Sequence, residues 1–385
     1  MTVTDAHPPR GQLCERARVD QVGIVAAVEA YESWLRTQVP VWEADLVYKH
    51  EQMAAMPMAF LRGTYHWWLA RWLRLYPVEL ASPRLLAVGD LHVENFGTWR
   101  DREARLAWGV NDFDEVALMP FSVDLVRLAT SARLALKSGR LVLTTTMACD
   151  AILEGYVASL RTGGRALVLE EHDPWLRRLA GGRAREPRLF WANLRSLPGL
   201  DEPLRPPLRR ALTAALPRGM SAATLHRRRA GLGSLGRERV VAQGEWQGAA
   251  VAREVKALVL PAWSQVMPAE PGAPVADVQG LLSRAVRSPD PSYRRGPTHV
   301  VRRLAPDSCR IDLTDLPDRR DDVRLLRAMG WETGNVHLAT SETIEAVLVD
   351  LESRPPGWLE DAARRMSRAT LRDWREWRAS QAKRV

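Results

Sequence analysis

The chain has 385 residues, 46% hydrophobic and 26% charged, which fits one large two-lobed domain or two domains and excludes wholesale disorder. Cys14, Cys149 and Cys309 are widely spaced and form no Cys-x-x-Cys pair, which argues against a disulfide scaffold or a zinc ribbon. No run is long and apolar enough for a membrane span, so a cytoplasmic protein without a membrane partner is expected.

The net charge of +9 is local: residues 161–240 hold 17 Arg against 7 acidic residues, so the remainder is close to neutral. That segment lacks the interleaved aromatics of a single-strand binder, and a solvated Arg-rich face is favoured over a nucleic-acid partner. Only four of the 55 basic residues are lysines: Lys49, Lys137, Lys256 and Lys383. Where Arg is the default cation, a Lys inside an apolar strand suggests a need for its compact point charge.

In chain order, residues 1–20 predict a loose leader without the apolar core of a signal peptide. Residues 21–38 have helical apolar spacing before Pro40. Residues 42–76 predict two helices broken near Pro57, with Trp67, Trp68 and Trp72 as a packed stripe. RLLAVGD (84–90) and ARLAWGVND (104–112) each read as a short buried strand entering a loop. Helices are predicted at about 121–137 and 142–161. Irregular structure with short helices follows over 183–220, and then the period changes. Residues 226–260 read as strand, glycine turn, strand, turn, strand. A helix near 275–287, two strands within 299–313 and C-terminal helices complete an α+β chain. The units expected are a leader (1–20), a helical region (21–225), a β-rich region (226–315) and terminal helices (316–385).

GDLHVENFG (89–97) carries the first chemical signal. Asp90 and Asn95 have the D-x-x-x-x-N spacing of a phosphotransfer loop, and Asp112, in GVNDFDE, follows 22 residues after Asp90 at the end of the next apolar strand. Phosphoryl transfer needs a carboxylate for the attacking hydroxyl, plus an amide oxygen and a second carboxylate for Mg²⁺. Strand-end loops on neighbouring strands would bring the three together. AGLGSLG (230–236) is the second signal, a glycine turn between strands, with Lys256 20 residues past Gly236. Such a turn lets backbone N–H groups approach phosphate, and a strand Lys can neutralise it. A dinucleotide fingerprint is disfavoured, because RERVVAQ is β-like and opens no helix.

FLRGTYH (60–66), GDLHVENFG, NDFDE, VDLVRLATS (123–131), GLGSLG and REVKAL closely resemble, in order, the landmarks of an uncharacterised bacterial family, domain of unknown function 2252. The resemblance runs from about residue 45 to the C-terminus, strongest over 49–135 and thin over 160–225. That family resembles the protein-kinase-like and aminoglycoside-phosphotransferase folds. The resemblance implies a two-lobed fold, with a mostly helical catalytic lobe, a small antiparallel β-rich lobe and the order of parts permuted. It implies Asp90 as catalytic base, Asn95 and Asp112 as Mg²⁺ ligands, and Gly231, Gly233, Gly236 and Lys256 as phosphate contacts. Asp124 is similar to the buried aspartate that braces the catalytic loop in such kinases. The chain departs from the family at VKAL and at GNVHLA (334–339), where His337 survives and an expected Arg does not.

Four neighbours stay open. Arg62 either holds an anionic substrate or salt-bridges the loop, His92 either faces the site or bonds backbone, and Asp114 and Glu115 either add metal contacts or cap a helix. Asp277 is the candidate carboxylate partner of Lys256. The function expected is Mg²⁺- and ATP- or GTP-dependent phosphorylation of a small-molecule hydroxyl. Only eight positions separate Asp112 from Pro120, leaving little room for a peptide-docking segment. The rivals are a nucleotide-binding regulator with little turnover and a metal-dependent phosphoesterase. The latter would need a His-bearing loop soon after Asp112, and residues 116–160 contain no His.

Overall fold

The computed structural model describes residues 22–179, 186–220, 223–267, 277–308 and 319–383. The leader, Cys14, Cys309 and the second strand expected within 299–313 lie outside them. The described residues form a mixed α+β structure with small antiparallel sheets.

Helix α1 (Ile24–Gln38) is followed by three helices where two were expected: α2 (Glu43–Ala55), α3 (Pro57–Gly63) and α4 (Tyr65–Leu75). Pro57 starts α3 where its missing N–H costs nothing, and the chain breaks again at Thr64. Trp67, Trp68 and Trp72 are all buried, as a packed stripe should be.

Strand β1 (Arg84–Ala87) enters the Asp90 loop and β3 (Leu106–Val110) the Asp112 loop, but these two strands do not pair. Two short strands unseen in the sequence are their partners. Strand β2 (Phe96–Arg100) pairs antiparallel with β3, and β4 (Ala117–Pro120) with β1. The chain thus runs out through β1 and β2 and back through β3 and β4. That path lays loop 88–95 beside loop 111–116, and the Asn111 N–H donates to the Asn95 carbonyl at 3.0 Å.

Helix α5 (Ser122–Lys137) is buried along almost its whole length, with Asp124, Arg127, Thr130 and Ser131 buried among its apolar residues. Helix α6 (Thr145–Thr162) packs on α10 (Arg319–His337) nearly backbone to backbone. A Cβ on Gly155 would lie 1.9 Å from the Arg327 carbonyl, and one on Gly330 would lie 2.0 Å from that of Ile152. Between these helices in sequence, α7 (Pro187–Arg195) and α8 (Pro206–Ala215) start on prolines, and α9 (Val278–Arg284) starts on Asp277. The C-terminal α11 (Ile344–Ser353) and α12 (Trp358–Ala382) pack back on the helical region, so residues 325–366 share one core with residues 58–176.

The late β-rich region is one sheet of order β5-β6-β7-β9-β8, built from β5 (Thr224–Arg227), β6 (Arg239–Trp246), β7 (Ala249–Ala257), β8 (Arg294–Arg295) and β9 (His299–Leu304). Gln247 and Gly248 both have positive φ and join β6 to β7 in the two-residue turn that suits strand twist. Strand alternation gives the sheet two faces. Val240, Ala242, Val255, Ala257 and Val301 pack on Leu35 of α1 and on Leu208 and Leu212 of α8. Arg239, Glu254, Lys256 and Arg302 occupy the opposite face. No helix of the described residues is long and apolar enough to cross a membrane.

Candidate functional site

Loop 88–95 is held by one face of α5. Asp124, Arg127 and Ser131, spaced i, i+3 and i+7, are all fully buried and all reach it. Asp124 accepts the N–H groups of Val88 (2.7 Å) and Gly89 (2.8 Å), and the Ser131 hydroxyl accepts that of Val93. Asp124 also accepts from His337 Nε2 at 2.9 Å, while His337 Nδ1 meets the Tyr156 hydroxyl at 2.8 Å. Gly89 has φ +88°, and a Cβ there would lie 2.5 Å from the Glu115 carbonyl, so the tight turn into Asp90 requires glycine.

Arg127 was not anticipated. Its Nε and Nη2 both bond Asp90 Oδ1, at 3.1 and 2.6 Å, and its guanidinium lies over the rings of Tyr65 and Trp68. A third Arg127 bond, to the Leu61 carbonyl, ties α3 to the same point. The sequence signal was the stripe of Asp, Arg and Ser on an otherwise apolar helix. Burial raises the Asp90 pKa above the ordinary value in spite of Arg127.

Asn95 joins the loops: its Nδ2 donates to the carbonyls of Asp90 (3.1 Å) and Asp112 (3.2 Å). That leaves Oδ1 as its free ligating atom. Lys256, on β7, lies 3.2 Å from both Asp112 oxygens and 2.7 Å from Asp114 Oδ1. Asp277, the partner expected, instead caps α9 through the Gly280 N–H. Burial opposes charge on Asp112, but Lys256 and a hydrogen bond from Asp114 hold its carboxyl below the ordinary range. Asp114 moves up, through burial and then the Asp112 charge.

Asp114 and Glu115 do not cap the next helix, α5, although Glu115 Oε2 accepts the Ala262 N–H at 2.6 Å, at the start of the short helix Trp263–Val266. Their ion-pair partner is Arg237, 3.6 Å from Asp114 and 3.9 Å from Glu115, which also donates to the Tyr31 hydroxyl. Arg62 bridges to Glu94 of the Asp90 loop at 2.5 Å, the salt-bridging alternative. His92 Nδ1 accepts the Glu94 N–H at 3.2 Å, the backbone alternative.

The glycine segment is a short 3-10 turn between β5 and β6, and a Cβ on Gly233 would lie 3.6 Å from Asp90 Oδ2. Gly231 and Gly236 have positive φ at its ends. The N–H groups of Ser234, Leu235 and Arg237 bond carbonyls within the turn. Asp90, Asn95, Asp112, Gly231 and Gly233 line one cavity of about 320 Å³, together with Arg62, His92 and Asp114. Gly236 and Lys256 sit behind its wall, and Asp124 braces the floor from below.

Of the four lysines, Lys137 and Lys383 are exposed, while Lys49 and Lys256 are buried beside this cavity. Lys49 lies 5.7 Å from the Tyr31 ring, and burial lowers its pKa to about 8. Cys149 is buried in the core, where its thiol pKa is pushed up to about 12, as suits an inert packing residue.

Glu115 gives a pH prediction. Burial lifts its carboxyl from 4.5 to about 7, against the pull of Arg237 and of the Ala262 N–H. Between those values the folded state keeps a proton that the unfolded chain has lost. Its contribution to stability is therefore fully present below the unfolded pKa and falls as pH rises towards about 7, by roughly 3 kcal/mol in all. Glu115→Gln is expected to flatten that part of the profile. Urea midpoints of both proteins at about pH 5 and about pH 8 check it, and parallel profiles would refute it.

Asp112 and Asn95 Oδ1 fit a Mg²⁺ that arrives with phosphates, since this ion uses one or two protein carboxylates and takes its other ligands from water and substrate. Among the described residues, no three His, Cys, Asp or Glu side chains gather as a metal cluster. Such a cluster is what a dinuclear phosphoesterase would need.

No curated protein and no solved structure shows a significant match to this chain. Residues 42–178, which carry Asp90, Asn95, Asp112, Asp124 and Arg127 but not the glycine turn or Lys256, match the model of a family described as "Uncharacterized protein conserved in bacteria", domain of unknown function 2252.

Proposed function

We propose that the cavity is the site of a Mg²⁺- and ATP- or GTP-dependent phosphotransferase acting on a small-molecule hydroxyl. One observation carries this reading. Asp90, Asn95 and Asp112, from two separate loops, line a single cavity, and Lys256, 166 positions after Asp90, reaches Asp112 from behind the cavity wall. The late sheet facing two catalytic-type loops supports a kinase-like two-lobed arrangement with permuted parts.

In this reading Arg127 occupies one oxygen of Asp90 and leaves Oδ2, beneath Gly233, to accept the acceptor's hydroxyl proton. The new bond joins the acceptor's oxygen to the terminal phosphorus, the bond to the leaving nucleoside diphosphate breaks, and the hydroxyl proton passes to Asp90 Oδ2. Burial raises the Asp90 pKa against the pull of Arg127, which strengthens it as a proton acceptor. Mg²⁺ held by Asp112 and Asn95 would neutralise phosphate charge. Lys256 keeps Asp112 ionised and fixes its position. Asn95, pinned to both loop backbones, sets their spacing.

Thermal shifts with ATP, GTP and AMP, each with and without Mg²⁺, test the reading. Stabilisation by a Mg²⁺–triphosphate is expected, and no shift with any nucleotide would refute it. Asp112→Ala is expected to abolish the Mg²⁺ dependence of nucleotide binding in a calorimetric titration. Full Mg²⁺-dependent binding by that variant would remove Asp112 from the metal site. Binding without turnover would favour the regulator, and Mn²⁺-supported hydrolysis of a generic phosphate ester the phosphoesterase.

A further inference from the structure

We propose that Arg228, Arg239 and Arg302, gathered around Glu254 on the cleft face of the sheet, form the seat for the polyphosphate chain of the nucleotide. The nucleotide part of this inference rests on the function proposed above, while the anion seat stands on its own geometry.

The charge count points to an anion. Glu254 is almost fully buried, and its Oε1 accepts from Arg239 at 2.9 Å and from Arg302 at 2.8 Å. Its Oε2 accepts from Arg228. Three guanidinium groups therefore share one carboxylate, two positive charges more than Glu254 itself balances, and all three arginines line the cavity; Asp112, which also attracts Arg239 and Arg302, is held by Lys256. Arg239 is buried while Arg228 and Arg302 are partly exposed, and holding like charges this close is costly unless an opposite charge completes the set. Glu254 fans the three groups out and holds them before any ligand arrives, as a preorganised anion site requires. Guanidinium suits the task because its fork of N–H donors matches phosphate oxygens.

The other candidates for this contact are already engaged. Lys256 is held by Asp112 and Asp114, and three N–H groups of the glycine turn bond within it. The arginines supply the positive charge that those groups do not.

The strand register then orders the cleft. Arg239 pairs with Lys256 in the row that meets Asp112, and Glu254 with Arg302 comes one same-face step on. Ala252 with Leu304 comes one step further, under an apolar cluster with Phe190 and Trp191. From Lys256 to Ala252 is four residues, about 14 Å at about 3.4 Å per residue. Carboxylates, surplus arginines and an apolar aromatic patch follow one another along this face. A nucleoside triphosphate presents its metal-bound end, its charged chain and its planar base in the same order.

Calorimetric titration of the full chain with inorganic tripolyphosphate and with Mg²⁺–ATP tests the seat. Arg228→Gln and Arg302→Gln each remove one partly exposed arginine and leave Arg239 on Glu254, with a thermal melt to confirm the fold. Each is expected to weaken both ligands at least about tenfold and to reduce the salt dependence of binding. Arg210→Gln, an exposed arginine of α8, controls for net charge and should change neither. If the wild type binds Mg²⁺–ATP and both arginine variants bind it equally well, the seat is overturned and the nucleotide reading stands. Wild-type binding of tripolyphosphate but not nucleotide, weakened by the two substitutions, supports the seat and overturns the nucleotide reading. Binding of neither ligand overturns both.

Discussion

Asp90→Asn is expected to lower turnover by roughly 10²–10⁴-fold, the range for loss of a general base, while folding and nucleotide binding persist. The amide keeps an oxygen for Arg127 but has no basic oxygen for the acceptor's proton. Asp90→Ala should behave differently, because Arg127 is fully buried and loses its charged partner. Removing one member of a buried pair costs about 3–5 kcal/mol. Arg127 keeps its bond to the Leu61 carbonyl and its two aromatic faces, which places the loss at the lower end of that range. Turnover measured beside urea unfolding separates the two effects. Normal turnover by Asp90→Asn would end the assignment of this loop, and equal stability of the two variants would end the structural role given to the ion pair.

The second large effect is expected at Asp124, which does not itself line the cavity. Asp124→Ala strands three buried donors at once: the N–H groups of Val88 and Gly89 and Nε2 of His337. At about 1–3 kcal/mol for each unsatisfied group, the loss is roughly 3–9 kcal/mol, a large part of the 5–15 kcal/mol typical of a folded domain. Asp124→Asn should recover little, because one amide oxygen cannot serve three donors and its NH₂ faces an N–H. His337→Phe removes only one of these bonds and should cost less than half as much. Chemical denaturation of the three variants checks the order, and an unchanged midpoint for Asp124→Ala would show that the loop is anchored elsewhere. Because the same carboxylate sets the turn before Asp90, the surviving folded fraction of Asp124→Ala should also lose activity.

The spacing of Asp90, Asn95 and Asp112 and the scarcity of lysine were enough to single out much of the cavity, because both are visible one residue at a time. Arg127 escaped notice for the opposite reason. In a chain with 51 arginines, one more on a helix reads as surface, and only the fully buried position beneath Asp90 gives it a role. The same is true of Arg237 and of the arginines on Glu254. Lys49, exposed by the same scarcity of lysine, could be counted but not located.

Local period and turn chemistry, which act over a few residues, are written in the chain itself. They determined the helices around 122–137 and 145–162, the strand ends that lead into Asp90 and Asp112, and the glycine turns of the late sheet. Pairing across long separations was decided only by the tertiary structure. Strands β2 and β4 are as short as β3 and β1 but lack the apolar run into an acidic loop that marks those two, and they form because β3 and β1 present unpaired edges to them. Charge pairing is more extreme still. Coulomb energy depends on distance in space, and Lys256 meets Asp112 across 144 positions, with burial around them strengthening their attraction.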